Sequence, residues 1–360
     1  AFTNPTTEGQ RITIAGNPTA SFFSGVNAGP VIITNYTNNT TASGVALTIA
    51  KNFITLRDIC LYARVTVGSP GFGIIVTLDT SSMLINRCYF GSTPQSSDNY
   101  TMSVNTIAGG VGPQITNCVF ENINISLYGY THSATWNSNT LVQDCIFTNL
   151  NTASNTNQAI RLGSETTGQY GGVKIINSFL QSVTCISVAI NNLSTTFPSL
   201  VQNCFLSGIT GISAPTNNGQ ITQSYNVINA TTTLTNVASS ATTITNAFNP
   251  LNFSISKIQG WGDYPFISPM VSSQAAINAG INTNSLAQDI YGTTWLTPST
   301  PTIGASEYQS YTPSSQYVPT ERNASTITIA PGSTSQSIEI YLGATGLTAS
   351  TSGLSARYNR

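Results

Sequence analysis

Ile115-Thr116-Asn117-Cys118-Val119-Phe120, with Ile123 three places on, is one copy of a six-position pattern: apolar, any, Asn or Asp, Cys or Ser, any, aromatic or Leu. The pattern returns as Val142-Gln143-Asp144-Cys145-Ile146-Phe147 with Leu150, as Ile175-Ile176-Asn177-Ser178-Phe179-Leu180 with Val183, and as Val201-Gln202-Asn203-Cys204-Phe205-Leu206 with Ile209. Weaker copies centre on Cys60 (Tyr62, Val65), Cys88 (Ile85, Phe90) and Ser224 (Ile221). The central Cys or Ser positions lie 28, 30, 27, 33, 26 and 20 residues apart, and self-similarity at a spacing of about 20 to 50 residues marks a repeat architecture. A solenoid is therefore expected.

Parity says which solenoid. Residues on one face of a strand recur at every second position, so Cys118 and Phe120 can share a buried face. Ile115 and Ile123 each stand three places from that pair and break the alternation, so the strand must turn a corner at both ends. Asn or Asp holds the first corner in the best copies (Asn117, Asp144, Asn177, Asn203), as suits residues that tolerate left-handed backbone angles. A helical repeat needs ten or more residues at a period of about 3.6, which none of these segments has. Short strands between sharp corners describe an all-β parallel β-helix.

Of the 360 residues 40% are hydrophobic and only 6% charged, with a net charge of −1. A disordered chain would combine low hydrophobicity with high net charge; here apolar residues fill strand-like runs, enough for a long core. Near-zero charge offers no basic face for nucleic acid, and no run of about 18 apolar residues spans a membrane. Such a surface suits an extracellular or particle-bound scaffold. The chain opens at Ala1 without an initiator Met or a signal peptide, so a processed form or a piece of a longer protein is expected.

Five of the six cysteines (Cys60, Cys88, Cys118, Cys145, Cys204) share one place in the repeat. They are expected to stack as small, reduced, inward hydrophobes about 4.8 Å apart. Ser takes the place in two copies, which neither a disulfide framework nor a metal site would readily accept. No cofactor or metal is expected. The aromatic or Leu position two residues on should form a buried column of Tyr62, Phe90, Phe120, Phe147, Leu180 and Leu206, and Cys185, outside the ladder, should be the first thiol to react.

Five regions follow. Residues 1–45 hold strand candidates Arg11–Ala15 and Pro30–Thr34 among Gly, Pro and Asn-Thr tracts, and should cap the exposed end of the solenoid. Residues 46–250 are coils. Residues 251–308 lose the repeat and carry Ala276-Ile277-Asn278-Ala279-Gly280, Asp289-Ile290-Tyr291-Gly292 and Ile303-Gly304-Ala305-Ser306-Glu307-Tyr308. A linker, 309–324, leads to a β-rich tail, 325–360.

The Asn-Cys-x-Phe coils followed by those three motifs resemble the closing section of right-handed parallel β-helix repeat proteins, a broad class of secreted and surface proteins. The tail, Tyr341-Leu342-Gly343-Ala344-Thr345-Gly346-Leu347 through Leu354-Ser355-Ala356-Arg357-Tyr358, is similar to a short β module of tail or other virion proteins predicted from marine phages. These resemblances imply the fold and a particle surface; neither carries a catalytic motif, and fold alone assigns no function.

Many right-handed β-helices cleave polysaccharides, through paired carboxylates or, in the lyases this fold resembles, an Asp-rich calcium site beside a basic residue. The coil carboxylates here, Asp58, Asp79, Asp98, Glu121, Asp144 and Glu165, are scattered singly. Asp58 and Asp144 fall at or near the corner, a turn role, and Glu121 lies on a different edge from Asp144. The richest cluster is Arg161, Glu165 and Lys174 around Gly168 to Gly172, a fallback catalytic group with one carboxylate where two are needed. The single histidine, His132, lies in the aromatic stretch Tyr128, Tyr130, His132, Trp136, which is the candidate patch for cell-surface glycans or a protein partner.

Two functions stay open. One is a non-enzymatic structural or receptor-binding protein on a particle, such as a phage tail spike, fibre or capsid decoration. The other is a secreted polysaccharide lyase or glycoside hydrolase. A tail of about 35 residues cannot bury enough surface to fold alone and leaves an open strand edge. It should therefore pair with another copy or another virion or surface protein, with a trimer as the first expectation.

Overall fold

The computed structural model describes residues 7–16, 31–37, 45–49, 51–65, 73–92, 100–106, 109–121, 123–129, 136–148, 158–164, 170–188, 194–214, 219–245, 253–258, 264–269, 276–282, 288–290, 294 and 300–305. The chain divides after Tyr308 into two compact units. All described residues belong to the first; the expected linker and tail lie outside them.

Two all-parallel sheets make up nearly all of the described structure. The first has eight strands, each paired with its neighbour in the next coil: Ile12–Ala15, Ile54–Arg57, Leu84–Asn86, Gln114–Thr116, Leu141–Gln143, Lys174–Ile176, Ser199–Gln202 and Ile221–Ser224. The second has 14 strands and begins as two rows. One row holds Val31–Thr37, Ile59–Val65, Tyr89–Ser92, Val119–Glu121 and Ile146–Thr148; the other holds Val45–Ile49, Gly73–Thr80, Tyr100–Thr106, Ile123–Gly129 and Gln158–Ser164. Both rows pair with the long strand Phe179–Val188, which is followed in the stack by Phe205–Ser213, Val227–Thr235 and Ile244–Thr245. Each circuit visits the first sheet, then the second, and returns one strand further along. This is a parallel β solenoid.

The stack begins early in the chain. Ile12–Ala15, Val31–Thr37 and Val45–Ile49 lie in parallel register with the following coil, so the stretch expected as a cap contributes strands itself. Arg11 helps tie this end: its guanidinium donates to the Ile54 carbonyl at 3.3 Å and the Ser82 carbonyl at 2.8 Å.

The corner between the sheets forms as its residue types suggest. Asn117 (φ 53°), Asp144 (51°), Asn177 (45°) and Asn203 (54°) all take the left-handed conformation, which costs Asn and Asp less than other L-residues. Asp58, Arg87 and Tyr225 hold the same corner, each with φ 54°. There Arg87 Nε bonds to Asp58 Oδ1 at 2.9 Å.

The register corrects two weak copies of the repeat. Cys60 lies opposite Tyr89 and Leu61 opposite Phe90, so Ile59, one residue past the corner at Asp58, holds the ladder place. Tyr62 likewise lies opposite Gly91 and is not in the aromatic column. At the other end Ser224 lies opposite Gln202 and Phe205 opposite Val227, which puts Asn226, not Ser224, beside Cys204. The corner residue sets the phase; aligning on a Cys or Ser slipped both copies.

The corrected ladder, Ile59, Cys88, Cys118, Cys145, Ser178, Cys204 and Asn226, is wholly buried, and its chemistry explains its composition. Each thiol or hydroxyl donates around the corner to the carbonyl two residues back: Cys118 to Thr116 (3.1 Å), Cys145 to Gln143 (3.2 Å), Ser178 to Ile176 (2.9 Å) and Cys204 to Gln202 (3.3 Å). The backbone N–H of a ladder residue in turn donates to the next side chain, as in Cys145 to Ser178 Oγ (3.2 Å) and Cys204 to Asn226 Oδ1 (2.8 Å). A small side chain with one atom that both gives and accepts satisfies buried backbone groups. Cys and Ser therefore exchange freely. Cys88, Cys118, Cys145, Cys185 and Cys204 are buried free thiols.

Three places past each corner, Leu61, Phe90, Phe120, Phe147, Leu180, Leu206 and Ile228 form the inner column, all buried. Phe90 and Phe120 stack with centroids 5.0 Å apart, and Phe120 and Phe147 at 4.5 Å; parallel in-register strands about 4.8 Å apart impose that spacing. Cys185 is not an exposed thiol. It is buried, donates to the carbonyls of Leu180 and Ser207 (3.4 Å each), and burial pushes its pKa up to about 12.

Candidate functional site

The residues singled out from sequence fall in several places. Tyr128 pairs at the backbone with Asn105 and Gly163 within the second sheet. Trp136 pairs with Tyr170 in a separate two-stranded ladder that leads into the first sheet. Tyr130, His132 and Glu165 lie outside the described residues. Arg161, half-buried, pairs with Ser126 and Ser187 in the second sheet, whereas Lys174 opens a strand of the first and is exposed. The described members of the fallback group thus sit on different sheets.

A more organised site lies where the closing segment meets the coils. The fifth position of the repeat points outward by parity, yet Tyr89, Val119, Ile146, Phe179, Phe205 and Val227 are all buried. They form a second apolar cluster with Ala276, Ile290, Ile303 and Ala305. The three motifs of the closing segment are knitted together by Ile303 N to Ala276 O (2.8 Å), Gly280 N to Pro301 O (2.8 Å) and Ile290 N to Ala305 O (3.1 Å).

Asn203 pins this segment to its corner. Its Oδ1 accepts from Ile281 N at 2.9 Å, its Nδ2 donates to Ile281 O at 2.6 Å, and its carbonyl accepts from Gly304 N at 2.9 Å. Gly304 has φ 122°, a region open in practice only to glycine. A Cβ on Gly280 would lie 2.8 Å from Pro301 O and 3.0 Å from Asn203 Oδ1, so glycine permits the close approach. Two of the glycines in the closing motifs are therefore docking residues.

Three carboxylates, Glu121, Asp144 and Asp289, are buried. Tyr89 Oη donates to Glu121 Oε2 at 2.5 Å, both side chains buried. Asp144 is 0% exposed and Asp289, from the closing segment, 3%. Burial pushes the Asp144 carboxyl well above the usual carboxylate range; the Asn177 side chain opposes this, the Asp289 charge adds to it by less, and the Gln143 side chain opposes it least. Neither Asp144 oxygen has a hydrogen-bond partner of ordinary geometry. Carboxylates set apart in this way are candidates for acid–base or switching roles, but this one is sealed from any polymeric substrate.

Sequence reasoning assigned Asp144 to a turn, which its backbone angle fits, and quoted Asp289 only as part of a motif. The readable signal was the run of apolar residues at the outward fifth position, which requires a cover. Among the described residues, no three His, Cys, Asp or Glu side chains gather as a metal site would need. No protein-family model matches the chain, and no curated protein matches it.

Proposed function

We propose that this chain is a non-enzymatic structural or receptor-binding element on the surface of a particle, a phage virion component such as a tail spike, fibre or capsid decoration, displayed outside the cell. Right-handed winding, an N-terminal cap and the β tail 325–360 complete the proposed architecture. The tail joins copies of the chain, a trimer first among the possible assemblies, or docks them to other virion or surface proteins. Tyr128, Tyr130, His132 and Trp136 are the proposed contact for a cell-surface glycan.

One observation carries this reading: the described coil carboxylates whose side chains are defined are each built into the scaffold. Asp58 pairs with the next corner at Arg87, Glu121 accepts from Tyr89, and Asp144 is wholly buried at its corner. A glycosidase needs two carboxyl groups about 5 to 10 Å apart across a groove that admits sugar; these three face separate partners. The test is to purify particles from the source and quantify the chain by mass spectrometry. Copurification at a fixed ratio to the major coat protein is expected. Recovery only as free protein, with cleavage of an acidic polysaccharide, would overturn the proposal.

A further inference from the structure

We propose that the edge of the solenoid where Trp136, Tyr170 and Phe197 fall on three successive coils is a binding platform for an acidic polysaccharide, with Lys174 as its cation. This platform deepens the glycan contact proposed for Trp136 and rests on it: Tyr170, Phe197 and Lys174 join the contact, and the ligand gains a charge class.

The backbone brings the three aromatic residues together. Trp136 and Tyr170 hold the same register position on neighbouring coils, with Asn137 opposite Gly171, and parallel strands set such residues about 4.8 Å apart. Gly171 O accepts from Ser138 N at 2.9 Å, and Phe197 O accepts from Gly172 N at 2.8 Å, so the three coil edges are bonded to one another. The Lys174–Leu200 pair, followed back three places, sets Phe197 level with Gly171 and one residue from Tyr170. The turn at Phe197 is held as well, its N–H donating to Ser194 Oγ at 3.0 Å.

Core packing does not account for this edge. Phe197 is half-buried and stands outside both apolar clusters of the described residues. Around it the chain faces solvent: Asn137 and Asn139 on one coil, and Thr195, Thr196 and Pro198 on another, are exposed. Aromatic residues bordered by amides and hydroxyls match a pyranose chain, whose C–H faces pack on rings while its hydroxyls exchange hydrogen bonds with Asn and Thr. Lys174 sets the charge class. It follows Tyr170 by four residues, opens the adjoining strand and is exposed, so its ammonium is placed to pair with a carboxylate or sulfate on the polymer.

Affinity electrophoresis of the full chain, in native gels containing alginate, carrageenan or dextran, tests the platform. Retardation by at least one of the two acidic polymers, weakened by salt, and none by dextran is expected. Phe197→Ala and Tyr170→Ala, with folding checked by circular dichroism, should each weaken binding about tenfold or more, and Tyr170→Phe should retain it. Lys174→Glu changes an exposed side chain and should abolish the retardation. No retardation by either acidic polymer, equal retardation by dextran, or a Lys174→Glu protein that responds to the polymer as wild type does would each overturn the platform. Loss of binding in Tyr128→Ala, with Tyr170→Ala and Phe197→Ala both unchanged, would refute the platform while leaving the earlier glycan contact standing.

Discussion

Replacing Phe120 by Ala removes the middle ring of the inner column. Phe120 is wholly buried and stacked on both faces, with centroids 5.0 Å from Phe90 and 4.5 Å from Phe147. Loss of a buried Phe ring costs about 3–5 kcal/mol, more where the void cannot close. Here it cannot close easily, because backbone hydrogen bonds on both sides fix the coil spacing at about 4.8 Å. Two stacked pairs, each worth about 0.5–1.5 kcal/mol beyond burial, vanish together. The upper half of the range is therefore expected. Phe120→Leu should cost under about 1.5 kcal/mol, since Leu61, Leu180 and Leu206 fill the same column in other coils. Urea unfolding followed by circular dichroism gives both numbers, and exchange at the flanking coils shows whether the damage stays with nearest neighbours, as a solenoid requires. An Ala variant that loses under 1 kcal/mol, or a Leu variant as damaged as Ala, would refute the register.

Ser178→Ala should destabilise by about 1–3 kcal/mol in the same urea assay, because the Cys145 amide and the Ile176 carbonyl both lose their side-chain partner; Ser178→Cys should be close to neutral, restoring the atom used in neighbouring coils. A thiol reagent at pH 8 should leave Cys88, Cys118, Cys145, Cys185 and Cys204 unlabelled in the folded protein and label all six cysteines after unfolding, and reductant should leave Tm unchanged. With Cys185 and Cys204 raised to about 12, little thiolate exists at that pH even apart from burial. Deleting everything after Tyr308 should leave the coils folded and convert the assembly to monomers by light scattering; a truncated protein that keeps its oligomeric state would move assembly to the flanks of the solenoid.

The solenoid was legible because parallel, in-register stacking puts the same chemical demand on the same position of every coil. A left-handed corner asks for Asn or Asp, the next place for a small donor-acceptor, and the one two further for a flat or branched apolar side chain. The sequence writes those demands out at Asn117-Cys118-Val119-Phe120 and again at Asn203-Cys204-Phe205-Leu206. Where the reading slipped, at Cys60 and Ser224, residue identity was followed and backbone geometry was not. Asp58 and Tyr225 mark the true corners through their φ of 54°, and Tyr225 is a residue from which no sequence pattern would infer that angle.

The closing segment was harder to read for a physical reason. Its docking spends few residues per contact, through Ala276, Ile290, Ile303 and Ala305 and two glycines that allow backbone to approach backbone, so no periodicity announces it. The demand appears instead on the receiving side. Val119, Ile146, Phe179 and Phe205 occupy a position that parity turns outward, and a solvent-facing column of that kind on consecutive coils would be an exposed apolar strip of the sort that marks an interface. A chain that keeps such a strip must cover it, and here Ala276, Ile290, Ile303 and Ala305 of the closing segment pack on it.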